Sequence, residues 1–351
     1  MPTTSQPAER TDRFGVVAVL CVAALLATAR AAGAEPDGPA RLSDNLYGAR
    51  MIDAERGWAV GAFGAIAQTR DGGATWRAQS APTSEQLYDV AFADLQHGWI
   101  VGRAGVILHT DDGGTTWRTQ TSGTDHHLFS VSTRDPKEAW AVGDWGTLQH
   151  TPDGGATWRT TSFDRDLILN DQAWPDAQHG WVVGEGGAIF ATRDGGATWS
   201  EQPTGIAKTL FGVFFVDPLT GWSVGLDGLI LHTRDGGATW LVQHGNPTVA
   251  ALDQVGFRES AENPTLYDVA LNGRAGFAVG DTGSVFVSAD GGASWQRAVT
   301  PTAASLRWIR AVSVVPAGAG IVVGANGLAL RLTGDTLSLA PQRVDAAAVA
   351  R

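Results

Sequence analysis

The chain has 351 residues and an acidic balance, with a formal net charge of −11 at neutral pH. This balance disfavours nucleic-acid binding as a general function, because phosphate backbones are held by clusters of Lys and Arg. With 45 glycines, 14 tryptophans and 17% charged residues, the composition favours many short strands joined by tight turns and argues against disorder.

Residues 1–34 have the composition of a secretion signal. Two arginines precede an apolar run at residues 14–29, and Ala32 and Ala34 match the small residues that signal peptidase requires. The run of 16 residues is shorter than the roughly 20 that a membrane-spanning helix needs. We therefore expect export, with an uncleaved membrane anchor as the open alternative. The only cysteine, Cys21, lies in this leader, so the exported chain is expected to have no disulfide and no cysteine-based site.

A Gly-Trp or Ala-Trp pair followed by Val-Gly recurs through the rest of the chain. Five tryptophans are spaced by 41 residues each time: Trp58, Trp99, Trp140, Trp181 and Trp222. Phe277 and Ile321 continue the series at intervals of 55 and 44 residues. A fixed period of this length predicts a repeat architecture.

A second motif runs in step with the first and reads Thr-x-Asp-Gly-Gly-x-Thr-Trp. The aspartate is expected to accept backbone N–H groups in a hairpin turn, the glycines to supply positive φ, and the tryptophan to be buried between sheets. The copies contain Asp71 and Trp76, Asp112 and Trp117, Asp153 and Trp158, Asp194 and Trp199, Asp235 and Trp240, and Asp290 and Trp295. A seventh copy near Asp335 has lost its tryptophan, so we count seven units.

Each unit is predicted to form four short strands. In the second unit these are residues 87–92, 98–101, 106–110 and 116–120, separated by turn residues. Four strands in about 40 residues are typical of a propeller blade. The sequence therefore predicts an all-β fold, a seven-bladed β-propeller of four-stranded antiparallel blades over residues 35–342, with a solenoid as the alternative. The predicted blades are 46–86, 87–127, 128–168, 169–209, 210–265, 266–305 and 306–342, and a tail follows at 343–351.

The repeated motif resembles the Asp-box, or bacterial neuraminidase repeat. Together with the Gly-Trp-x-Val-Gly motif it is similar to the photosystem II stability/assembly factor family, over residues 46 to about 340. The resemblance implies an exported, monomeric propeller in the periplasm or thylakoid lumen, which binds a membrane-protein complex and carries no cofactor. It also implies an arginine patch as the contact with a reaction-centre protein. Arginines at non-repeated positions are the candidates: Arg50, Arg103, Arg134 and Arg165.

The repeats argue against an enzyme. Six equivalent aspartates point to a structural role, because the parts of a catalytic centre play different roles and must break the symmetry. The three tyrosines of the chain, Tyr47, Tyr88 and Tyr267, occupy one repeat position that Phe129 and Phe211 also fill. They are expected to line the core or channel, not to act as a sialidase nucleophile.

A carbohydrate-active propeller is the alternative function. Two carboxylates some 5–10 Å apart would suffice for glycoside hydrolysis. Acidic residues that break the symmetry cluster in the fourth unit, where an acidic loop is the expected interpretation: Asp164, Asp166, Asp171 and Asp176. No histidine spacing resembles a metal site.

Partner binding is expected where the repeats differ. The turn after each Val-Gly varies, and we expect these turns to lie on one face of the disc, with Phe63, Arg103 and Trp145 as candidate contacts. An insertion of 14 residues between the fifth and sixth units adds Phe257 and Arg258 as candidates, because long loops on rigid scaffolds often carry function.

Overall fold

A computed structural model describes residues 44–163, 165–247, 263–300, 304–316 and 318–333, together with the backbone of 343–344. Its strands form seven sheets. The first contains β1 (Leu46–Met51), β2 (Gly57–Gly61), β3 (Ile66–Thr69) and β4 (Thr75–Gln79). The second contains β5 (Leu87–Phe92), β6 (Gly98–Gly102), β7 (Ile107–Thr110) and β8 (Arg118–Gln120). The third contains β9 (Leu128–Asp135), β10 (Glu138–Gly143), β11 (Thr147–Thr151) and β12 (Arg159–Ser162).

The remaining sheets follow the same order. The fourth contains β13 (Leu169–Ala173), β14 (Gly180–Gly184), β15 (Ile189–Thr192) and β16 (Ser200–Glu201). The fifth contains β17 (Leu210–Phe215), β18 (Gly221–Gly225), β19 (Ile230–Thr233) and β20 (Leu241–His244). The sixth contains β21 (Leu266–Asn272), β22 (Ala275–Gly280), β23 (Val285–Ser288) and β24 (Gln296–Arg297). The seventh contains β25 (Ile309–Val315), β26 (Ala319–Gly324) and β27 (Ala329–Thr333).

Every sheet is an antiparallel meander in sequence order. Six have four such strands, and three are described in the seventh. A short strand near the chain end, β28 (Arg343–Val344), pairs in parallel with β4 at the outer edge of the first sheet. In the part of the chain that the structure describes, helical structure is limited to three-residue 3₁₀ turns between the second and third strands of six sheets. Within the described residues, no helix is long and apolar enough to span a bilayer.

The first strands of the sheets form a closed ring. Each packs against the first strands of its two neighbours, and β25 of the seventh sheet returns to β1 of the first. The N–H of Met51 donates to the Ser313 hydroxyl at 2.9 Å across this junction, and the Gly327 N–H donates to the Asp44 carbonyl at 2.8 Å. A solenoid would leave its two ends apart. The seven-bladed β-propeller is therefore confirmed and the solenoid alternative is wrong.

The repeated aspartate closes the turn between the third and fourth strands. In the first blade, Asp71 Oδ1 accepts the Thr75 N–H at 2.8 Å, and Oδ2 accepts the Thr75 hydroxyl at 2.6 Å. The Thr69 hydroxyl donates to the same carboxylate and accepts the Gly73 N–H at 2.7 Å. The carboxylate thus supplies the acceptors that a tight turn lacks, and the same bonds recur in the next five blades.

The Gly-Trp tryptophans of the second strands wedge neighbouring blades together. Trp58 stacks on Phe92 of the next blade with ring centroids 4.0 Å apart, and Trp181 stacks on Phe215 at 3.6 Å. All five are nearly inaccessible to solvent, from 0% for Trp99 to 4% for Trp140. The Asp-box tryptophans are less uniform. Trp76 and Trp117 are buried, but the other four are only partly buried.

In four blades, a glutamine on or directly after the fourth strand joins the blade to the next one. Its side-chain oxygen accepts the indole N–H of the following Asp-box tryptophan, in the pairs Gln79–Trp117, Gln120–Trp158, Gln202–Trp240 and Gln243–Trp295, at 3.0–3.4 Å. In the third blade the equivalent residue is Thr161. The indole nitrogen of Trp199 is buried there and has no hydrogen-bond partner among the described residues.

Replacing Thr161 by glutamine is expected to complete this series. The new amide would accept the Trp199 N–H and raise the free energy of unfolding by about 0.5–1.5 kcal/mol, as one recovered buried hydrogen bond does. Urea denaturation of Thr161→Gln checks the value. In a Trp199→Phe background, which lacks the N–H, the gain should vanish. An equal gain in both backgrounds would contradict the hydrogen bond as its cause.

Candidate functional site

The turns between second and third strands lie together at one end of the ring, which we call the turn face. The residue in the middle of each turn has a left-handed backbone, with φ between 53° and 65°. These residues are Phe63, Ala104, Trp145, Gly186, Asp227, Thr282 and Asn326. Only Gly186 adopts this conformation without steric cost, because the Cβ atom of the others crowds the backbone. The Asp-box turns lie at the opposite end.

Two bulky aromatic side chains occupy such positions and are exposed on the turn face. Phe63 is 63% exposed and Trp145 is 55% exposed. The indole of Trp145 lies 6.3 Å from the His126 ring, and the His126 Nδ1 atom is 2.7 Å from the Thr147 hydroxyl. Arg103 is also exposed and lies 3.9 Å from Glu85. The predicted candidates Phe63, Arg103 and Trp145 thus share one face, whereas Phe257 and Arg258 lie outside the described residues.

The central channel opens on this face through a ring of seven side chains, which we call the mouth ring. Each comes from the second residue of a first strand, where a register shift interrupts the pairing with the second strand. A bulge of this kind re-aims a side chain. The members of the ring are Tyr47, Tyr88, Phe129, Asn170, Phe211, Tyr267 and Arg310.

Aromatic contacts connect neighbours around the mouth ring. Tyr88 lies 5.9 Å from Tyr47 and 5.3 Å from Phe129, measured between ring centroids, and Phe211 lies 5.4 Å from Tyr267. Burial raises the pKa of Tyr47, and it raises the pKa of Tyr88 to about 12. A raised pKa opposes formation of the phenolate that a tyrosine nucleophile needs. The structure therefore agrees with channel lining, as the repeat position predicts.

Arg310 is the charged member of the mouth ring. Its guanidinium carbon lies 4.6 Å from the centre of the Tyr267 ring and 5.9 Å from that of Phe211. Sequence reasoning aligned the five aromatic residues of this position but missed Arg310 and Asn170. The sequence does contain a signal for the seventh position, because Ile309 aligns with the leucine that precedes each of the other six members of the ring.

One residue further along alternate first strands, three carboxyl groups face the channel. Each accepts a backbone N–H from the next blade, in the pairs Asp89–Val131 at 2.9 Å, Asp171–Val213 at 2.8 Å and Asp268–Val312 at 2.8 Å. The second, fourth and sixth blades are thereby joined to the third, fifth and seventh. These carboxyl groups stabilise the ring as inter-blade acceptors.

The surroundings raise the pKa of these three groups. Burial raises the pKa of Asp89 to about 6, of Asp268 to about 7 and of Asp171 to about 8. Repulsion from the other carboxyl groups adds to this effect for Asp171 and Asp268, while the donated N–H groups oppose it. Arg50 favours the charged form of Asp89, and Arg310 favours that of Asp268.

The four arginines that were candidates for a patch have different surroundings. Arg134 lies 4.8 Å from the centre of the Trp174 ring, pairs with Glu138 and donates to the Ala177 carbonyl. Its side chain is only 13% exposed, so it is not available to a partner. Arg165 pairs with Glu201 at 2.7 Å. Arg50 lies on the first strand β1, next to the channel carboxyl Asp89.

The structure corrects the expectation that the four acidic residues of the fourth unit form one loop. Asp171 lies in strand β13 inside the channel, whereas Asp176 caps a turn by accepting the His179 N–H at 2.8 Å. Asp166 is exposed, and Asp164 lies outside the described residues. The sequence placed the four residues together only because they are close along the chain. Among the described residues, no three His, Cys, Asp or Glu side chains are arranged to hold a metal ion.

Comparison with known proteins gives one family and one shared fold. The family model of the photosynthesis system II assembly factor YCF48 matches residues 75–168, 157–242 and 202–297. No curated protein sequence matches the chain.

Solved structures match over most of the chain at low identity. A structure described as YCF48 bound to D1 peptide is 20% identical, with a TM-score of 0.66, and the match covers 84% of this chain and 94% of that one. YCF48 from Cyanidioschyzon merolae is 19% identical, with a TM-score of 0.67 and coverage of 85% and 98%. An ancestral GH74 enzyme is 11% identical, with a TM-score of 0.62 and coverage of 84% and 45%. At these identities the structures show a shared propeller fold.

Proposed function

Because the chain belongs to the family of the photosynthesis system II assembly factor YCF48, we propose that it is a non-catalytic assembly scaffold. In this proposal it binds an extended segment of a membrane-protein complex on the turn face. The segment lies across the exposed rim formed by Phe63, Arg103 and Trp145 and reaches the mouth ring. The exposure of two large aromatic rings on this face, those of Phe63 and Trp145, is the observation that carries the proposal.

Phe63 and Trp145 are expected to lower the stability of the protein when no partner is bound. A left-handed backbone costs a residue with a side chain about 1–2 kcal/mol relative to its preferred conformation, and glycine would avoid this cost. Exposure of a large ring to water adds a second unfavourable contribution. Neither residue has a large contact inside the protein that offsets these costs, since more than half of each side chain is exposed. Binding of a partner would bury the rings and so accounts for their exposure, whereas the left-handed backbone is common to the equivalent turns of the other blades.

The family supports a peptide as the occupant. One solved relative is described as bound to a D1 peptide. We propose that this chain likewise binds a segment of a D1-like subunit, outside its membrane spans. An extended peptide can reach both the rim and the channel mouth, and large exposed aromatics are typical anchors for it.

Several observations support a role without catalysis. The six Asp-box carboxylates are engaged in equivalent turns, and the three channel carboxyl groups each accept an N–H from a neighbouring blade. The tyrosines have raised, not lowered, pKa values where a shift is present. We therefore do not retain the carbohydrate-active alternative.

We also propose export, with residues 1–34 as the leader. The proposal rests on the apolar run and the small residues before Glu35. Fractionation of the host cells and N-terminal sequencing of the mature protein test it. Recovery of full-length protein from the cytoplasm would contradict export, while recovery of full-length protein from membranes would support the uncleaved anchor.

Binding of D1-derived peptides tests the scaffold role. We expect at least one of a set of overlapping peptides that cover the loops and tails of D1 to bind. Phe63→Ala and Trp145→Ala should each weaken this binding by about 2 kcal/mol, or about 30-fold, as loss of an interface anchor does. Isothermal titration calorimetry gives both values.

Leu219→Ala is the matched control. Leu219 is 58% exposed, like the two anchors, but lies in a turn at the opposite end of the ring. Its replacement should leave peptide affinity unchanged. If no D1 segment binds, or if the three variants weaken binding equally, the proposed face is wrong.

A further inference from the structure

Arg310 breaks the chemical symmetry of the mouth ring. Five of the seven positions carry aromatic rings and one carries an amide, so the single cation stands in a wall of mostly uncharged groups. Its guanidinium group rests on the faces of Tyr267 and Phe211. A planar guanidinium held against aromatic faces has its N–H donors directed outwards, in the plane of the group. Contact with these rings does not satisfy the N–H donors of the guanidinium, which can still donate to another acceptor.

No carboxylate of the described residues forms an ion pair with Arg310. Other arginines of the protein have such partners: Arg56, Arg103, Arg118, Arg134 and Arg165. The charges of Asp268 and Asp281 act on Arg310 from a greater distance. Arg310 is also half-buried, where an unpaired charge is more costly than at the open surface. An arginine in this setting is suited to an external anion.

The nearby acids do not compete for its donor edge. Asp268 uses its oxygens to accept the N–H groups of Val269 at 2.7 Å and Val312 at 2.8 Å. Asp281 accepts the hydroxyl of Tyr267 at 2.9 Å. Burial raises the pKa of both carboxyl groups, that of Asp268 to about 7, so Asp268 carries less than a full negative charge near neutral pH. The acids thus fix the walls of the mouth ring and leave Arg310 available.

We propose that Arg310, beside the rings of Tyr267 and Phe211, is the receptor for one carboxylate group of the bound partner. The carboxylate accepts two parallel N–H bonds from the guanidinium edge, the geometry for which arginine is best suited. Either the terminal carboxylate of a peptide or an Asp or Glu side chain supplies this chemistry. The inference rests on the proposed function only in placing the partner on the turn face.

Small carboxylates test the receptor without any partner protein. The probe is N-acetylalanine, which carries a free α-carboxylate, and the neutral control is N-acetylalaninamide. The readout is the arginine Nε–Hε spectrum of the ¹⁵N-labelled protein. We expect a saturable shift of the Arg310 signal with a dissociation constant on the order of millimolar, as suits a single bidentate contact. The amide should produce no such shift.

Variants separate the receptor from general charge effects. Arg310→Gln should abolish the saturable shifts of neighbouring aromatic signals, and Arg310→Lys should retain weaker binding, because an ammonium group cannot form the paired bonds. Arg118→Gln, on the outer strand of the second blade, should leave the titration unchanged. If Arg310→Gln is not folded, the comparison of carboxylate with amide on the unmodified protein still decides the question.

A third probe, N-acetylaspartic acid α-N-methylamide, tells the two sources of carboxylate apart. Tighter binding of N-acetylalanine would indicate a chain end, and tighter binding of the aspartate probe would indicate an acidic side chain. Binding of either should strengthen as the pH falls from 8 to 6, because Asp268 then becomes neutral. Equal response to carboxylate and amide, or no saturation, would overturn the inference. Peptide binding through Phe63 and Trp145 could still hold in that case.

Discussion

Trp99→Ala is expected to lower the free energy of unfolding by about 3–5 kcal/mol, the usual cost of removing a fully buried large aromatic. Trp99 is 0% exposed and packs between the second and third blades, with the His109 ring 4.6 Å from its own. The surrounding strands belong to two neighbouring blades of a closed ring, which limits how far they can move into the cavity. Urea denaturation, followed by circular dichroism, measures the change.

Two further tryptophans provide the comparison for Trp99. Trp145→Ala should change stability by no more than about 0.5 kcal/mol, because its ring is 55% exposed and its backbone strain is unchanged by alanine. Trp199→Ala should fall between the two, since Trp199 is only partly buried. Equal losses for all three would show that the tryptophans do not act by burial between blades.

The protein is expected to be less stable at pH 8.5 than at pH 5. The pKa values of Asp89, Asp171 and Asp268 are raised in the folded state, to between about 6 and about 8. The folded protein therefore binds more protons than the unfolded chain across this range. The stability contributed by these three carboxyl groups is fully present below pH 4, which is near the pKa of an aspartate in the unfolded chain. It is lost as the pH rises through the pKa values of the three groups in the folded protein. Each pH unit over which one of these groups is protonated only in the folded state costs about 1.4 kcal/mol, so we expect a loss of stability of several kcal/mol across this range and a clear fall in Tm.

Asp171→Asn tests the origin of this pH dependence. An asparagine at this position can keep both hydrogen bonds, because its oxygen can accept the Val213 N–H while its amide donates to the Ser130 hydroxyl, which can rotate. The variant cannot ionise. Its Tm should fall less than that of the unmodified protein between pH 5 and pH 8.5, and should exceed it at pH 8.5.

The Asp-box supplies the matched control for that experiment. Hydrogen bonds from Thr157 hold the pKa of Asp153 down, to about 2, so its contribution is present above pH 4 and is lost only as the pH falls towards 2. Asp153→Asn should lower Tm without changing the slope between pH 5 and pH 8.5. Parallel curves for Asp171→Asn and the unmodified protein would contradict a role for the channel carboxyl groups.

The sequence by itself determined the fold and the role of its repeated residues. Seven units with one pattern of turns and strands predict seven equivalent sheets, because each sheet can bury its two faces only against copies of itself. The turn chemistry of Asp71 is local as well, since all its partners lie within four residues along the chain. For the same reason, the turn residues Phe63 and Trp145 could be identified as candidate contacts from the sequence alone.

The site inside the ring was decided by the tertiary structure. Asp89 bonds to an N–H group 42 residues away, and the surroundings of Arg134 are formed by Trp174 and Ala177, 40 and 43 residues away. These contacts depend on how far one blade is shifted against the next, which no local pattern encodes. Arg310 likewise acquires its aromatic support from Phe211 and Tyr267, in two other blades. Local spacing determines what each blade is, whereas packing between blades determines which side chains meet at the channel.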